Sequence, residues 1–312
     1  MKIKLLLVLC MSFLLFACAD ERQERIDSNL KSADYLINNL GQSLDENAIR
    51  NATILREYAK LLGQDKPELK PLLTQLSRDA SREGPIYQSL KQRLKTVKEQ
   101  PQLLGDIEAQ LFETENLIAA SDANLFNDAL SDPINVIADM SEGKLARVNA
   151  ISKQSSLQAN GAEDNGAGSQ LVGNPNYGNW QSGSSGTSFW QWYGMYAMFS
   201  ALSPRPVFYD RWSSRRDYSY YNDVGRNRYT SPQQAKSQDN LAQKTNKQFA
   251  GKGGFKSPYA KSKTGASRMS TSSQQAQKAA PFSGKSSFSK AKSASSFRNS
   301  KSTTSRGISR GK

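Results

Sequence analysis

Histidine is absent from the 312 residues. The commonest general base and metal ligand near neutral pH is therefore missing. Ser-His-Asp and Cys-His catalytic arrangements are excluded, as are zinc sites of the Cys/His type. Cysteine is nearly absent as well, with only Cys10 and Cys18, both near the N-terminus. No disulfide framework can hold the body of the chain. Acid disappears at the other end, where Leu241–Lys312 holds 16 Lys/Arg and no Asp or Glu. The net charge of +14 belongs to that end, because residues 19–155 hold 17 Lys/Arg against 22 Asp/Glu, a net of −5. Residues 19–155 are also poor in aromatics, with only Tyr35, Tyr58, Tyr87, Phe112 and Phe126. Chemistry by carboxylates alone stays open, but the acids fall at helical surface spacing and no pair stands out. The expectation is a protein with no catalytic site, no cofactor and no metal.

What is present begins with an address. Lys2 and Lys4 open an apolar run that closes on Leu15-Phe16-Ala17-Cys18. A charged start, an apolar core and a small residue before the cut make an export signal. The arrangement resembles a bacterial lipoprotein signal, in which the cysteine becomes the lipid-modified first residue of the mature chain. That resemblance implies a signal peptide over 1–17, a lipidated N-terminus over 18–21 and palmitate among the acyl chains on Cys18. Ala17-Cys18-Ala19 also fits an ordinary secretory cleavage site. As an uncleaved anchor, Ile3 to Ala19 lies at the short limit for a spanning helix. Cysteine arithmetic favours lipidation: Cys10 would be removed with the signal, leaving Cys18 with no disulfide partner. Ala19 rather than Asp after the cysteine points to an outer membrane, with the protein facing the periplasm.

Residues 22–155 carry helical spacing. Ile26, Leu30, Ala33, Ile37, Leu40 and Leu44 make a coiled-coil-like stripe under three heptads long. Gly41 is a candidate stop, and Ser43-Leu44-Asp45-Glu46 reads as a capping box opening a second helix. That helix carries Ala48, Ala52, Leu55, Ala59 and Leu62, with Gly63 as its end. Further helices are predicted after Gly84-Pro85 and from Pro101, and one with Asp132 as N-cap before Pro133. The fold class expected is mainly α, a bundle of five to seven helices or coiled-coil hairpins. Charge is segregated within it. Lys91, Arg93, Lys95 and Lys98 form a basic cluster, whereas Glu99 to Glu142 holds ten acids and no base. Either two helix faces attract across a turn, or an acidic face awaits a basic partner.

The pattern changes at about residue 156. Asn, Gly and Ser predict a flexible linker over 156–187. An aromatic, Arg-rich segment follows over 188–232, and Tyr177–Tyr229 holds fifteen aromatics. Three readings compete. Phe189, Trp190, Trp192, Tyr193, Tyr196, Phe199 and Trp212 could form a small helical or hairpin element packed on the bundle. They could sit at a membrane interface, or stack on a partner protein or sugar polymer. The Gly/Ser connector, Ser188-Phe189-Trp190, the Tyr/Met-rich stretch, and Pro204-Arg205-Pro206-Val207-Phe208-Tyr209 with a polar tail resemble the layout of the YgiB-type lipoproteins of Gram-negative bacteria. The resemblance covers about residues 180–235 and the tail composition. It implies an envelope lipoprotein without an assigned chemistry. This chain lacks the additional cysteines of that family's N-terminal part.

From 233 to 312 the chain is Ser, Lys, Gln, Ala and Gly with scattered Phe, a composition that predicts a disordered basic tail. Arg215 and Arg216 in the aromatic segment, with Lys285, Lys290, Lys292, Arg298, Lys301, Arg306 and Arg310 in the tail, are the candidate polyanion contacts. In an exported protein these polyanions are anionic lipid, lipopolysaccharide or cell-wall carboxylates, not nucleic acid. The alternative is an assembly protein whose helices self-associate and whose tail docks protein partners.

Overall fold

A computed structural model describes residues 2–149, 153–154, 157, 163–183, 186–203 and 205–250, with only the course of the backbone for 2–20. The chain is mainly α-helical, as the spacing predicts. The first half runs α1 (Lys2–Asp45), α2 (Arg50–Asp65), α3 (Lys70–Ser77), α4 (Pro85–Glu99), α5 (Ile107–Ala120), α6 (Ala123–Ala129) and α7 (Ser131–Met140). The second half holds a hairpin of β1 (Gly178–Ser182) and β2 (Ser188–Trp192). The helices α8 (Phe199–Leu202), α9 (Tyr209–Arg215) and α10 (Pro232–Phe249) follow. No helix among the described residues is long and apolar enough to cross a membrane.

The stripe on α1 behaves as its spacing requires. Ile26, Ala33, Ile37, Leu40 and Leu44 are buried, with Leu30 partly so. They pack against α4 and α5, while α2 packs against α3, α6 and α7. Arg93, midway along α4, meets Glu113, midway along α5, as an antiparallel helix pair joined by a turn requires. The two form a bidentate pair at 2.7 and 2.9 Å, both side chains buried. The attraction between the basic and acidic helices is therefore spent inside the fold. Two more of those acids meet α1 instead, through exposed arginines: Glu108 with Arg22 at 2.9 Å and Glu115 with Arg25 at 3.1 Å.

Five boundaries differ from the sequence reading. Helix α1 continues through Gly41 to Asp45. Gly41 is small for a packing reason: a Cβ there would lie 2.5 Å from the Tyr87 hydroxyl, which donates to the Ile37 carbonyl. The capping box at Ser43 does not form, and α2 begins at Arg50 without a side-chain cap. Gly63 lies inside α2, two residues before its end. Asp132 is not an N-cap, because it lies within the first turn of α7 and its carboxylate is used elsewhere. Pro101 starts a single 3-10 turn, and the helix after it is capped by Asp106, which accepts from the Ala109 amide at 2.8 Å.

The larger corrections concern the second half. The linker expected over 156–187 contains a 3-10 turn (Ser169–Leu171) and strand β1, with Leu171, Val172 and Tyr177 buried. Gly173 permits this course: its φ is +85°, and a Cβ would lie 2.6 Å from the Trp212 ring. The tail expected from 233 begins instead as α10. Ser231 accepts from the Gln234 amide while the Gln234 side chain accepts from the Ser231 amide, a complete capping box with Pro232 in the first turn. The aromatic segment is no separate module, since its buried rings and the bundle's leucines form one continuous core.

Candidate functional site

Of the seven aromatic residues singled out from the sequence, Trp190, Trp192, Tyr196, Phe199 and Trp212 are buried, and Phe189 is half-buried. These five cannot lie at a membrane surface; they face protein. Only Tyr193 is exposed, at 44 %, beside the exposed Met195. Burial also corrects Arg216 as a polyanion contact: its guanidinium is bidentate on Asp223 at 2.6 and 2.9 Å. Arg215 is exposed and paired with Glu163 at 2.5 Å. Lys285, Lys290, Lys292, Arg298, Lys301, Arg306 and Arg310 lie outside the described residues, as does the Cys18 side chain.

Tyrosines and buried acids fasten the second half to the bundle. Asp79, in the 3-10 turn (Arg78–Ala80) after α3, accepts from the Tyr177 hydroxyl at 2.7 Å. Asp132 accepts from the Tyr220 and Tyr221 amides at 2.7 and 2.8 Å, holding the start of a π-helical turn (Tyr221–Gly225). Burial pushes both carboxyls up from 3.8 to about 7, against the hydrogen bonds that lower them. Tyr229 donates to the Ala120 carbonyl at 3.1 Å, and Arg93 to the carbonyl of Arg228. Arg147 joins Asp139 at 2.7 Å to Asp217 at 3.3 Å. The groups best suited by pKa to move protons are thus sealed in as fasteners. Among the described residues no set of three or more Cys, Asp or Glu is placed to hold a metal ion.

A concave site remains between the hairpin and α10, with a volume of about 350 Å³. The antiparallel register places Gly178, Trp180 and Ser182 opposite Trp192, Trp190 and Ser188, so these six share one face. Gly178 leaves room for the Trp190 ring, which a Cβ there would approach to 2.7 Å. Trp180 stands edge-on to Trp190 at 5.1 Å and to Tyr209 at 5.0 Å; Trp190 is edge-on to Trp192 at 5.8 Å. Such interlocked rings fix the wall. The opposite wall is one face of α10, with Gln234, Gln238, Leu241 and Lys244 at helical spacing. Gln238 is held by the Gly173 carbonyl at 3.2 Å, the Tyr221 hydroxyl at 3.1 Å and Arg226 at 2.6 Å. Tyr193 stands at the rim. The Trp190 Nε1 hydrogen has no partner, although the residue is only 6 % exposed.

A second depression of about 480 Å³ shares Pro175 and Gln234 with the first and reaches the Arg93–Glu113 pair. Sequence reasoning missed Trp180 and the α10 wall. The Ser231-Pro232-Gln233-Gln234 start signal was visible, but no apolar stripe follows it. No protein-family model matches the chain, and neither a curated protein nor a solved structure matches it significantly.

Proposed function

We propose that the protein is a non-enzymatic, lipid-anchored binding protein of the cell envelope, held by acyl chains on Cys18 and facing the periplasm from the outer membrane. The observation that carries this reading is Leu15-Phe16-Ala17-Cys18 at the end of an apolar run behind two lysines. The course of α1 supports it. The helix is continuous from Lys2 to Asp45, so the eight residues from Cys18 to the first core residue, Ile26, span about 12 Å of helix. A body anchored there would lie against the membrane surface.

The acid-free stretch after Leu241 extends the reach of that body. Leu241–Phe249 of that stretch are helical in α10, and 63 residues follow them. Each Lys or Arg engaged near an anionic surface contributes roughly 1 kcal/mol. The tail's partner is therefore an anionic lipid or envelope polymer. Exposed Lys236, Lys244 and Lys247 on α10 add to the basic surface at the tail's root. Palmitate labelling of wild type and Cys18→Ala, followed by membrane fractionation, tests the anchor. The wild type is expected to label and sediment with membranes, and the variant to do neither; an unlabelled wild type sinks the anchor. Sedimentation of the tail with anionic vesicles, lipopolysaccharide or peptidoglycan at low salt tests the second contact.

A further inference from the structure

We infer that Tyr193, Met195 and Leu202 form a second membrane contact, an apolar tip that seats the folded body on an anionic lipid surface. The contact rests on the envelope reading, in that the protein must work at a membrane, but not on acylation of Cys18. Six large apolar side chains are exposed among the described residues. Tyr35, Leu61 and Leu103 stand singly, on α1, on α2 and in the turn after α4. Tyr193, Met195 and Leu202 fall within ten residues of chain, at the 3-10 turn Gly194–Met198 and the helix α8 that continues it. The two sides of this element differ. Tyr196 and Phe199 are buried: Tyr196 accepts from Gln75 Nε2 at 3.3 Å and stands edge-on to Tyr177 at 5.1 Å, and the Phe199 ring lies 4.8 Å from Trp192. Met195, Met198 and Leu202, at i, i+3 and i+7, make a second stripe, exposed except for the partly buried Met198. The core fixes one stripe and leaves the other facing outward.

Charge selects the partner. The exposed faces of α1, α2, α4 and α10 carry Lys31, Glu57, Lys91 and Lys236. This element carries no charge, and Arg205 is the only Lys, Arg, Asp or Glu from Asn165 to Tyr209. Apolar patches without the usual charged cover mark protein or membrane contacts. A protein interface has a polar rim and hydrogen bonds across it. Between Gly194 and Leu202 the only exposed polar side chain is Ser200. The polar groups stand at the ends instead. Tyr193 has an apolar body and a hydroxyl tip, the form that favours the headgroup level. Arg205, exposed three residues past Leu202, and Arg211, exposed on α9, carry the sign that anionic headgroups attract. An apolar centre with an amphipathic edge and a cationic edge matches the layering of a bilayer surface. The element is too short to span, so it lies in the interface. Its position adds an orientation. The Tyr177 hydroxyl ties it to Asp79 at 2.7 Å, and Arg56 ties Ala80 to Asn47, just past the end of α1. Arg82 holds Asp45 itself at 2.6 Å. The tip therefore belongs to the end of the bundle opposite Cys18, about 40 Å away along α1. Contact at both ends lays α1 along the membrane rather than upright on it.

The test places an environment-sensitive fluorophore on Met195→Cys or, as the control, on Leu61→Cys, in the full chain carrying Cys10→Ala and Cys18→Ala. The label is then unique and the acyl anchor is absent, so a failure of lipidation leaves the result untouched. Vesicles of mixed phosphatidylcholine and phosphatidylglycerol are added at low salt. The Met195 label is expected to shift to the blue and to be quenched by lipids brominated high on the acyl chain. The Leu61 label, on a face shared with Glu57 and Lys60, should do neither, even where the basic tail brings both labels to the vesicle. Leu202→Asp, at an exposed position that the core does not need, should abolish the shift with an unchanged melting temperature. Arg205→Gln keeps the apolar stripe, so it reports on the contact even if the Leu202 variant loses its fold. It should raise the lipid concentration needed for the shift about fivefold, the effect of one basic residue near an anionic surface. The inference is overturned if the Met195 label stays unshifted at saturating lipid, or if the Leu61 label shifts equally. It is also overturned if the Met195 label shifts with protein concentration alone, which marks a contact between copies of the chain.

Discussion

The two halves of the described chain are held by different physics. In α1 to α7 the contacts are between aliphatic stripes: Ile37, Leu40, Leu44 and Leu55 are almost wholly buried, and local spacing predicts each of them. From 163 to 231 the described backbone has only short elements, with little regular structure to repeat. It is held instead by side chains that reach back to the bundle: Tyr177 to Asp79, the Tyr220 and Tyr221 amides to Asp132, Tyr229 to the Ala120 carbonyl. Apolar burial is proportional to area and tolerant of detail. Buried polar fasteners are all-or-none, because each lost partner leaves another group unsatisfied. The bundle should therefore degrade gradually under mutation, and the second half abruptly.

The Arg93–Glu113 pair is where the two regimes meet, and it should give the largest effect. It joins α4 to α5, and Arg93 also holds the carbonyl of Arg228. Removing one partner of a buried pair leaves an uncompensated charge, at a cost of about 3–5 kcal/mol. Arg93→Met is expected to lower the urea midpoint accordingly. Arg93→Met with Glu113→Leu should recover most of that loss in the bundle, because an apolar pair can replace an ionic one. The Arg228 carbonyl stays unpaired in the double variant, so protection from hydrogen exchange around Tyr229 should remain low. Full recovery in both halves would show that they are not separately fastened.

The next effect is carried by pH. A carboxyl raised from 3.8 to about 7 keeps its proton in the folded chain after the unfolded chain has lost it. Its stabilising contribution is complete below about pH 4 and is lost as pH rises to 7. For Asp79 the full span amounts to about 4 kcal/mol at 1.36 kcal/mol per pH unit. Asp132 adds a contribution of the same sign. Thermal melts from pH 4 to 8 should show stability falling toward neutrality. Asp79→Asn should remove about half of that slope, and an unchanged slope would place the titration elsewhere. The loss should show first in the second half, because Tyr177 and the backbone around Tyr220 hang on these two acids.

The same contrast decides what was legible in the sequence. The stripe from Ile26 to Leu44 could be read because a helix repeats its environment every few residues. The acid and base blocks on α4 and α5 could also be read as mutual attraction. What could not be read is where a tyrosine hydroxyl or a backbone amide finds an acceptor ninety residues away. Asp132 looked like a cap for its own helix because Pro133 follows it; the amides it serves belong to Tyr220 and Tyr221. Packing on the bundle is one of the three readings that the aromatic segment's composition allows; burial selects it, and the first half's scarcity of aromatics is what the segment fills. The hairpin strands are five residues each, too short for alternation to declare itself. The groove inherits this: its hairpin wall needed Trp180 placed opposite Trp190, a register set by the loop between them.

The smallest effect tests whether α10 belongs to the second half or only adjoins it. Its contacts are few, with only Ala235 and Thr245 buried along its length. Its start is specified locally by Ser231, and its first half is tied to Arg226 through Gln238 and Asp239. Losing an N-cap serine costs about 1 kcal/mol. Ser231→Ala should therefore lower global stability slightly, by no more than that amount. Its signature should be regional. Amides of Gln234 to Lys244 should exchange faster, while those of α2 and α7 keep their protection. Because α10 forms one wall of the groove, the same substitution should weaken any ligand held there more than it weakens the fold. If protection falls evenly across the chain, α10 is part of one cooperative unit, and the division between a stripe-held and a fastener-held half ends before Pro232.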